Sequence, residues 1–530
     1  MESLSQTTWD VVICGTGLQQ SLLALALSRS GKSILHIDPN NYYGGPDAAL
    51  SLQEIEEWAS AHHNVPSHSL FSHAYATALI ENSSSDVPKD PKISSSRAYS
   101  IALSPQIIHT RSALLARLVS SRLFRQLEFQ AVGSFYIFKP IAAFTEGNSQ
   151  IGELVRIPST REDVFASSTI SARAKRQLMK FLKFVLDFEN ERHMKTWQPY
   201  RDLPFSEFLG KNFQLEGDLQ QYILTLTLSL DVSSLSTHEG LSIINRHLSS
   251  MGAFGPGFAA VYPKWGGIGE IVQAACRACA VGGATYMLGT SIKTETTSKA
   301  EGEIELELSS GVAIKTRLLV RETDQVPSDG QRLRKLVAVV SSSLTPLFEA
   351  IIEGSPSPAV AFVAFPQGSV PCASELASFP HPIFAGVHSS QTEECPPGQC
   401  LIYFTTISAS GSENALEWAL SALLQVASIF PQSEGEDGDE SSSTIPRCLY
   451  KVSFEQYEGH KQQNPTATAS KSTNSFILPS PTATLFSGDQ VFDIVRMAWE
   501  RVMGSEISEN EFLVFEDRET LGDDNDDHNF

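Results

Sequence analysis

Trp9-Asp10-Val11-Val12-Ile13-Cys14-Gly15-Thr16-Gly17-Leu18-Gln19-Gln20 opens the chain, followed by Ser33-Ile34-Leu35-His36-Ile37-Asp38 and Asn41-Tyr42-Tyr43-Gly44-Gly45. Asp10 to Cys14 is short, apolar and rich in β-branched residues, which predicts a buried strand. Gly15-Thr16-Gly17 ends it, and Leu18 to Ser30 carries enough Leu and Ala for a helix buried on most sides. Gly31 closes that helix, and Ser33 to Asp38 is a second strand ending on a carboxylate. The stretch is a βαβ unit of the dinucleotide-binding kind.

The third glycine of that fingerprint is missing, and Gln20 stands in its place. Glycine there lets the helix lie close to the strand and brings its N-terminus up to a pyrophosphate. A glutamine is expected to hold the two elements apart. Downstream, Tyr42-Tyr43-Gly44-Gly45 resembles the Gly-Gly turn of flavin oxidases, and Leu485-Phe486-Ser487-Gly488-Asp489 resembles the Gly-Asp strand end on which they hold the ribityl chain. The small glycine that should come after it is absent from Val491 to Trp499. The frame is that of a flavoprotein, altered at the cofactor contacts.

A chain of 530 residues can bury large cores and is expected to form two domains. Its formal charge of −21 argues against nucleic acid and against steady binding to anionic membranes, leaving transient membrane contact. Seven scattered cysteines and an N-terminus without a signal-peptide pattern point to a reducing, cytoplasmic setting. Acidic stretches at Glu434–Glu440 and Asp523–Asp527 are expected to be solvated.

Between Ile157 and Gly252 the texture changes. Leu178, Phe181, Leu182, Val185 and Phe188 repeat at three and four, marking a broad-faced helix over Ala172–Asn190. Ser159 and Glu162 have capping-box spacing. Thr225 to Leu230 alternates as a strand would, but its helical neighbours favour helix. Strands and turns return from Ala253, with a helix from Glu270 to about Ala280. The fold class read from this is α/β: a flavin-oxidase-like large domain, residues 1–156 and 253–530, with an inserted all-helical domain, 157–252.

Cys276 and Cys279 have redox or half-zinc spacing, but they lie mid-helix with no second close pair, so packing is the expected role. Glu270 and Arg277 are seven apart on one predicted helix, on the same face and about 10 Å apart along its axis. Spacing alone favours a solvated helix face over a binding platform.

The opening blocks, Ile157-Pro158-Ser159, and Tyr262-Pro263 through Gly267-Ile268-Gly269-Glu270 to Gly283-Ala284-Thr285-Tyr286 together resemble the Rab GDP dissociation inhibitor and Rab escort protein family. The resemblance implies a flavin-oxidase-like fold that uses no flavin or other cofactor and has no catalytic residue of its own. It implies a Rab-binding platform built from Tyr43, Glu270 and Arg277. The length of the chain and the Leu178–Leu182 and Cys279–Gly283 segments resemble the escort branch. There Phe205 would insert into the prenyltransferase, although Glu216 stands where an arginine is expected. Phe181, Val185 and Phe188 would then shield an isoprenoid. The implied partners are GDP-bound Rab GTPases before and after prenylation, the Rab geranylgeranyltransferase heterodimer, and the geranylgeranyl lipid. A recycling GDP dissociation inhibitor and a FAD-dependent oxidase are the alternatives.

Overall fold

The computed structural model describes residues 2–66, 69–79, 93–141, 151–158, 164, 171–297, 303–323, 330–350, 354–371, 378–428, 446–459, 474–480, 483–504 and 511–516. The Ser159–Glu162 capping box and both acidic stretches lie outside them.

The opening unit forms as its pattern dictates. The strand Thr8–Cys14 pairs in parallel with Ile34–Ile37, and the helix Leu18–Leu27 crosses between them, buried along almost its whole length. Because this strand is covered on both faces, it carries apolar residues without alternation. It sits inside a seven-stranded sheet ordered Thr285–Met287, Ile34–Ile37, Thr8–Cys14, Ala313–Glu322, Ile304–Leu308 and Ile292–Thr297, with Ser475–Leu478 also along Ala313–Glu322. The chain therefore enters this sheet at its start, middle and end. Ile304–Leu308 and Ala313–Glu322 form an antiparallel hairpin within it, turned at Gly311.

A second, ten-stranded sheet runs from Phe71–Ala78 through Cys448–Tyr457, Arg332–Val340, Cys400–Ile407, Ile383–Ser389 and Val360–Phe365 to Phe129–Pro140, Ala260–Pro263 and Ile108–His109. Gly152–Arg156 pairs off its long strand Phe129–Pro140.

Between Gly152–Arg156 and Ala260–Pro263, every described element of regular structure is helical. The helix Ala172–Leu186 is capped by Ser171, and Thr237–Ser250 has a full capping box from Ser236 and Glu239. The alternating stretch at Thr225 is helical to Leu226, at the end of the helix Asp218–Leu226. It then turns through Leu228, whose φ of +50° ends the helix. One merged core joins these helices to the large sheet.

Histidines mark that junction. His247 on the Thr237–Ser250 helix stands edge-on to His109 at 5.9 Å and to Phe135 at 5.7 Å. Thr110 Oγ1 donates to Ser250 O at 2.6 Å beside them, and Arg246 pairs with Asp489 at 3.0 Å. Burial holds His247 down to about 4, and burial with the nearby His247 and Arg246 charges holds His109 down to about 3. These rings fold neutral while the unfolded chain protonates near 6.5, so their contribution is complete above that pH and is lost as pH falls below it. Each ring should remove about 2 kcal/mol of stability between pH 6.5 and 5. His247→Phe should flatten the fall measured by denaturant titration by that amount, and an unchanged slope would show that the ring charges freely in place.

Candidate functional site: a filled dinucleotide cradle beside an exposed helix

Gly15 sits at the tip of the first strand with φ of +87°, a left-handed conformation that suits glycine, and its N–H donates to Ile37 O at 2.8 Å. Thr16 Oγ1 donates to Asp38 Oδ2 at 2.6 Å and accepts from Gly44 N at 2.9 Å. Asp38 also accepts from Asn40 N at 2.7 Å. The carboxylate that would meet a ribose is thus bound to its own turn.

The helix N-terminus is treated the same way. Leu18 N–H donates to Asp47 Oδ2 at 3.0 Å, so an internal anion stands where a phosphate would complement the helix dipole. Burial pushes Asp47 up to about 6 against the pull of the Leu18 amide and the Lys335 ammonium. Lys335, itself buried and lowered to about 7, donates to Leu103 O and Ser104 Oγ.

Gln20 acts by filling the turn. Its side chain lies back over the glycines, with Nε2 at 3.2 Å from where a Cβ on Gly15 would be and Oε1 at 3.0 Å from that of Gly17. At the far end of the chain, Asp489 accepts from Ala113 N at 2.9 Å and pairs with Arg246. These residues do not fit a flavin: the pyrophosphate cradle is filled by Gln20 and Asp47, and the Gly-Asp acid is spent on a helix start and an ion pair.

Next to the cradle lies the helix Ile268–Val281. Gly269 lets its first turn press on the Gly45–Asp47 turn, since a Cβ there would stand 2.8 Å from Asp47 O. That contact sets Tyr43 and Glu270 on neighbouring segments. Tyr43 is half-buried, its ring edge-on to Tyr286 at 6.1 Å. Glu270 is half-buried and held above the usual carboxylate range by burial, with Arg277 pulling it down. Arg277, two turns on, is exposed. Trp265, 39 % exposed at φ of +62° with the Lys264 ammonium 5.4 Å from its ring, precedes this helix and escaped the sequence reading. Its signal was the Gly266-Gly267 pair, which needs an unusual turn in front of it.

Cys276 and Cys279 are buried, and burial raises both thiols, Cys279 to about 12. Among the described residues no cluster could hold a metal ion.

Two readings are corrected by the helical region. Phe205 is not an exposed anchor: it is 0 % exposed, its ring 6.3 Å from that of Phe181. The reason is periodicity. Phe205, Phe208, Leu209 and Phe213 are the buried stripe of one helix, and Phe205 is its first member. Leu203, 42 % exposed, is the apolar side chain that reaches solvent there. Phe181, Val185 and Phe188 are also buried, among the rings of Phe184, Phe213 and Trp197, so among the described residues they belong to a packed core and are not exposed to receive a lipid.

The fold and site thus define a flavoprotein-like frame whose dinucleotide cradle is occupied by its own side chains. The family model described as GDP dissociation inhibitor matches residues 5–376, and the chain belongs to that family. Among its relatives, Rab proteins geranylgeranyltransferase component A of Saccharomyces cerevisiae is 32% identical over 440 residues, 81% of this chain and 67% of that protein. The protein of the same name from Candida albicans is 31% identical, covering 79% of this chain and 63% of that one, so the chain spans about two-thirds of these two relatives. Rab escort protein 1 of Arabidopsis thaliana is 25% identical over 95% of this chain and 94% of its own. The crystal structure of Rab GDI from Plasmodium falciparum shares the fold at a TM-score of 0.61 and 19% identity, over 94% of this chain and 99% of that one. An oxidoreductase from Methanosarcina mazei shares it at 0.54 and 11%, over 92% and 99%.

Proposed function

We propose that this chain is a cytoplasmic escort for Rab GTPases: it binds them in the GDP-bound state, presents them to Rab geranylgeranyltransferase and carries the lipidated product to membranes. It contributes no catalytic group; the transfer chemistry belongs to the partner. The observation that carries the reading is the run of relatives named as component A of that transferase or as escort protein, matched over most of this chain. The filled cradle supports it, because a chain that occupies its own dinucleotide site with Gln20 and Asp47 has turned the frame to another use. A carrier answers a physical need: each buried methylene is worth about 0.8 kcal/mol, so a free geranylgeranyl chain would aggregate or insert prematurely.

Tyr43, Glu270 and Arg277 form the Rab contact in this reading. Arg277 is exposed and Glu270 tempers it across two helical turns. Arg277→Ala should weaken binding of GDP-loaded Rab by about 1–4 kcal/mol at unchanged melting temperature. Calorimetry with equal affinity in a folded mutant would remove the platform. A prenylation assay tests the rest: Rab should be modified only when the chain is added, and intact Rab binding without prenylation would make the chain a recycling inhibitor.

A further inference from the structure

In a chain of net charge −21, Arg29, Arg122 and Arg277 converge on one groove. Its walls are the end of the helix Leu18–Leu27, the turn at Arg122–Gln126 and the outer face of the helix Ile268–Val281. Val281, 76 % exposed, adds an apolar edge. The far rim is Phe515, from a strap formed by Glu511–Glu516. Phe512 and Leu513 of the strap are buried, Arg117 donates to Phe512 O at 3.2 Å, and Ser120 Oγ donates to Leu513 O at 2.7 Å. Arg29 lies 4.5 Å over the Phe515 ring and donates to Glu516 O at 2.9 Å.

The strap therefore delivers the chain to the groove's edge at Glu516. Residues 517–530 then read Asp-Arg-Glu-Thr-Leu-Gly-Asp-Asp-Asn-Asp-Asp-His-Asn-Phe, with six side-chain carboxylates against one arginine. Fourteen residues can extend about 46 Å, ample to cross a groove whose edge Glu516 already reaches. We propose that this acidic segment docks in the arginine groove and competes there with the partner that Arg277 receives; the competition rests on the Rab platform described above, the docking does not. Charge complementarity favours it, with carboxylates matched to guanidinium groups. Tethering favours it further, since a short linker gives an effective concentration of the order of millimolar, enough to fill the groove from a weak intrinsic contact. Exposed pairs of this kind are screened by salt, so occupancy should be ionic-strength dependent.

The test uses the full chain and a full-length variant in which Asp517, Glu519, Asp523, Asp524, Asp526 and Asp527 are replaced by their amides. A fluorescent peptide of residues 517–530 is titrated into each and followed by anisotropy. It should bind the amide variant at least tenfold more tightly than the native chain. That binding should fall at least tenfold when Arg122→Glu is added, and likewise between about 50 and 300 mM salt. GDP-loaded Rab should bind the amide variant several-fold more tightly than the native chain. No peptide binding, equal binding to both proteins, or indifference to salt and to Arg122→Glu overturns the docking. Expected peptide behaviour with identical Rab affinities overturns the competition. Expected peptide behaviour with no Rab binding by either protein leaves docking standing and sinks the Rab reading instead. Arg277→Glu, also exposed, repeats the peptide arm should Arg122→Glu lower the melting temperature.

Discussion

Phe205→Ala should lower stability by about 3–5 kcal/mol, the usual result of emptying a phenylalanine site in a closed core. The site is tightly made: a Cβ on Gly240 of the crossing helix would come within 2.4 Å of the Phe205 ring, so glycine is what admits the ring. Phe205 N–H also donates to Leu235 O at 2.8 Å, fixing where the helix begins. Denaturant unfolding followed by circular dichroism measures the loss, and because this chain carries several packed units the curve is fitted with an intermediate where probes disagree. A Phe205→Ala protein as stable as the parent, yet unable to form a complex with the transferase and Rab, would mean that the ring works outside the core. Leu203→Ala is the matching control: it should leave stability within about 0.5 kcal/mol, as surface changes do.

Glu394→Ala should have a comparable effect, about 3–5 kcal/mol, for a different reason. Glu394 is fully buried with three partners: Tyr262 OH donates to it at 2.7 Å, His388 Nδ1 lies at 2.6 Å, and Thr392 Oγ1 donates at 3.2 Å. Deleting the carboxylate leaves the Tyr262 hydroxyl and His388 Nδ1 without this partner away from water, while Thr392 Oγ1 keeps its bond to Ser389 O, and the loss costs more than the bonds contribute. The damage should travel. Trp265 N–H donates to Thr392 O, Ser100 N–H to Glu394 O, and Ser100 Oγ to Trp265 O, so the network holds the turn that leads into Gly267 and Glu270. Weaker Rab binding together with red-shifted tryptophan emission is expected in whatever fraction remains folded. Unchanged stability would show that water replaces the carboxylate.

The elements were legible in the sequence where period and punctuation agreed. Asp10–Cys14, Gly15-Thr16-Gly17 and Ser33–Asp38 specify strand, turn and strand by local chemistry, and the structure follows them. Thr225–Leu230 was ambiguous because Leu at every second position fits a strand, while the chain in fact leaves its helix through a left-handed Leu228. Orientation was harder. Phe205 invites a partner when taken alone, and only the spacing to Phe208, Leu209 and Phe213 tells that it faces inward. Tyr43, Glu270 and Arg277 came from resemblance, since spacing alone put Glu270 and Arg277 on an ordinary solvated face. Asp47 and Glu394 gave no signal, because each acts through partners distant in the chain: Lys335 and Leu18 for one, Tyr262 for the other. Single acids in unpatterned stretches look the same whether they are solvated or central.

The filled cradle also changes what this fold depends on. An enzyme that borrows stability from a dissociable ligand gains RT ln(1 + [L]/Kd), and so weakens whenever the ligand runs short. Here the anion at the start of the Leu18–Leu27 helix is the Asp47 carboxylate, and the plug over Gly15 and Gly17 is the Gln20 amide, both part of the chain. Their local concentration is fixed by covalent connection and cannot be diluted away. The scaffold is therefore complete as soon as it folds, and its readiness tracks its own synthesis with no vitamin supply in the equation.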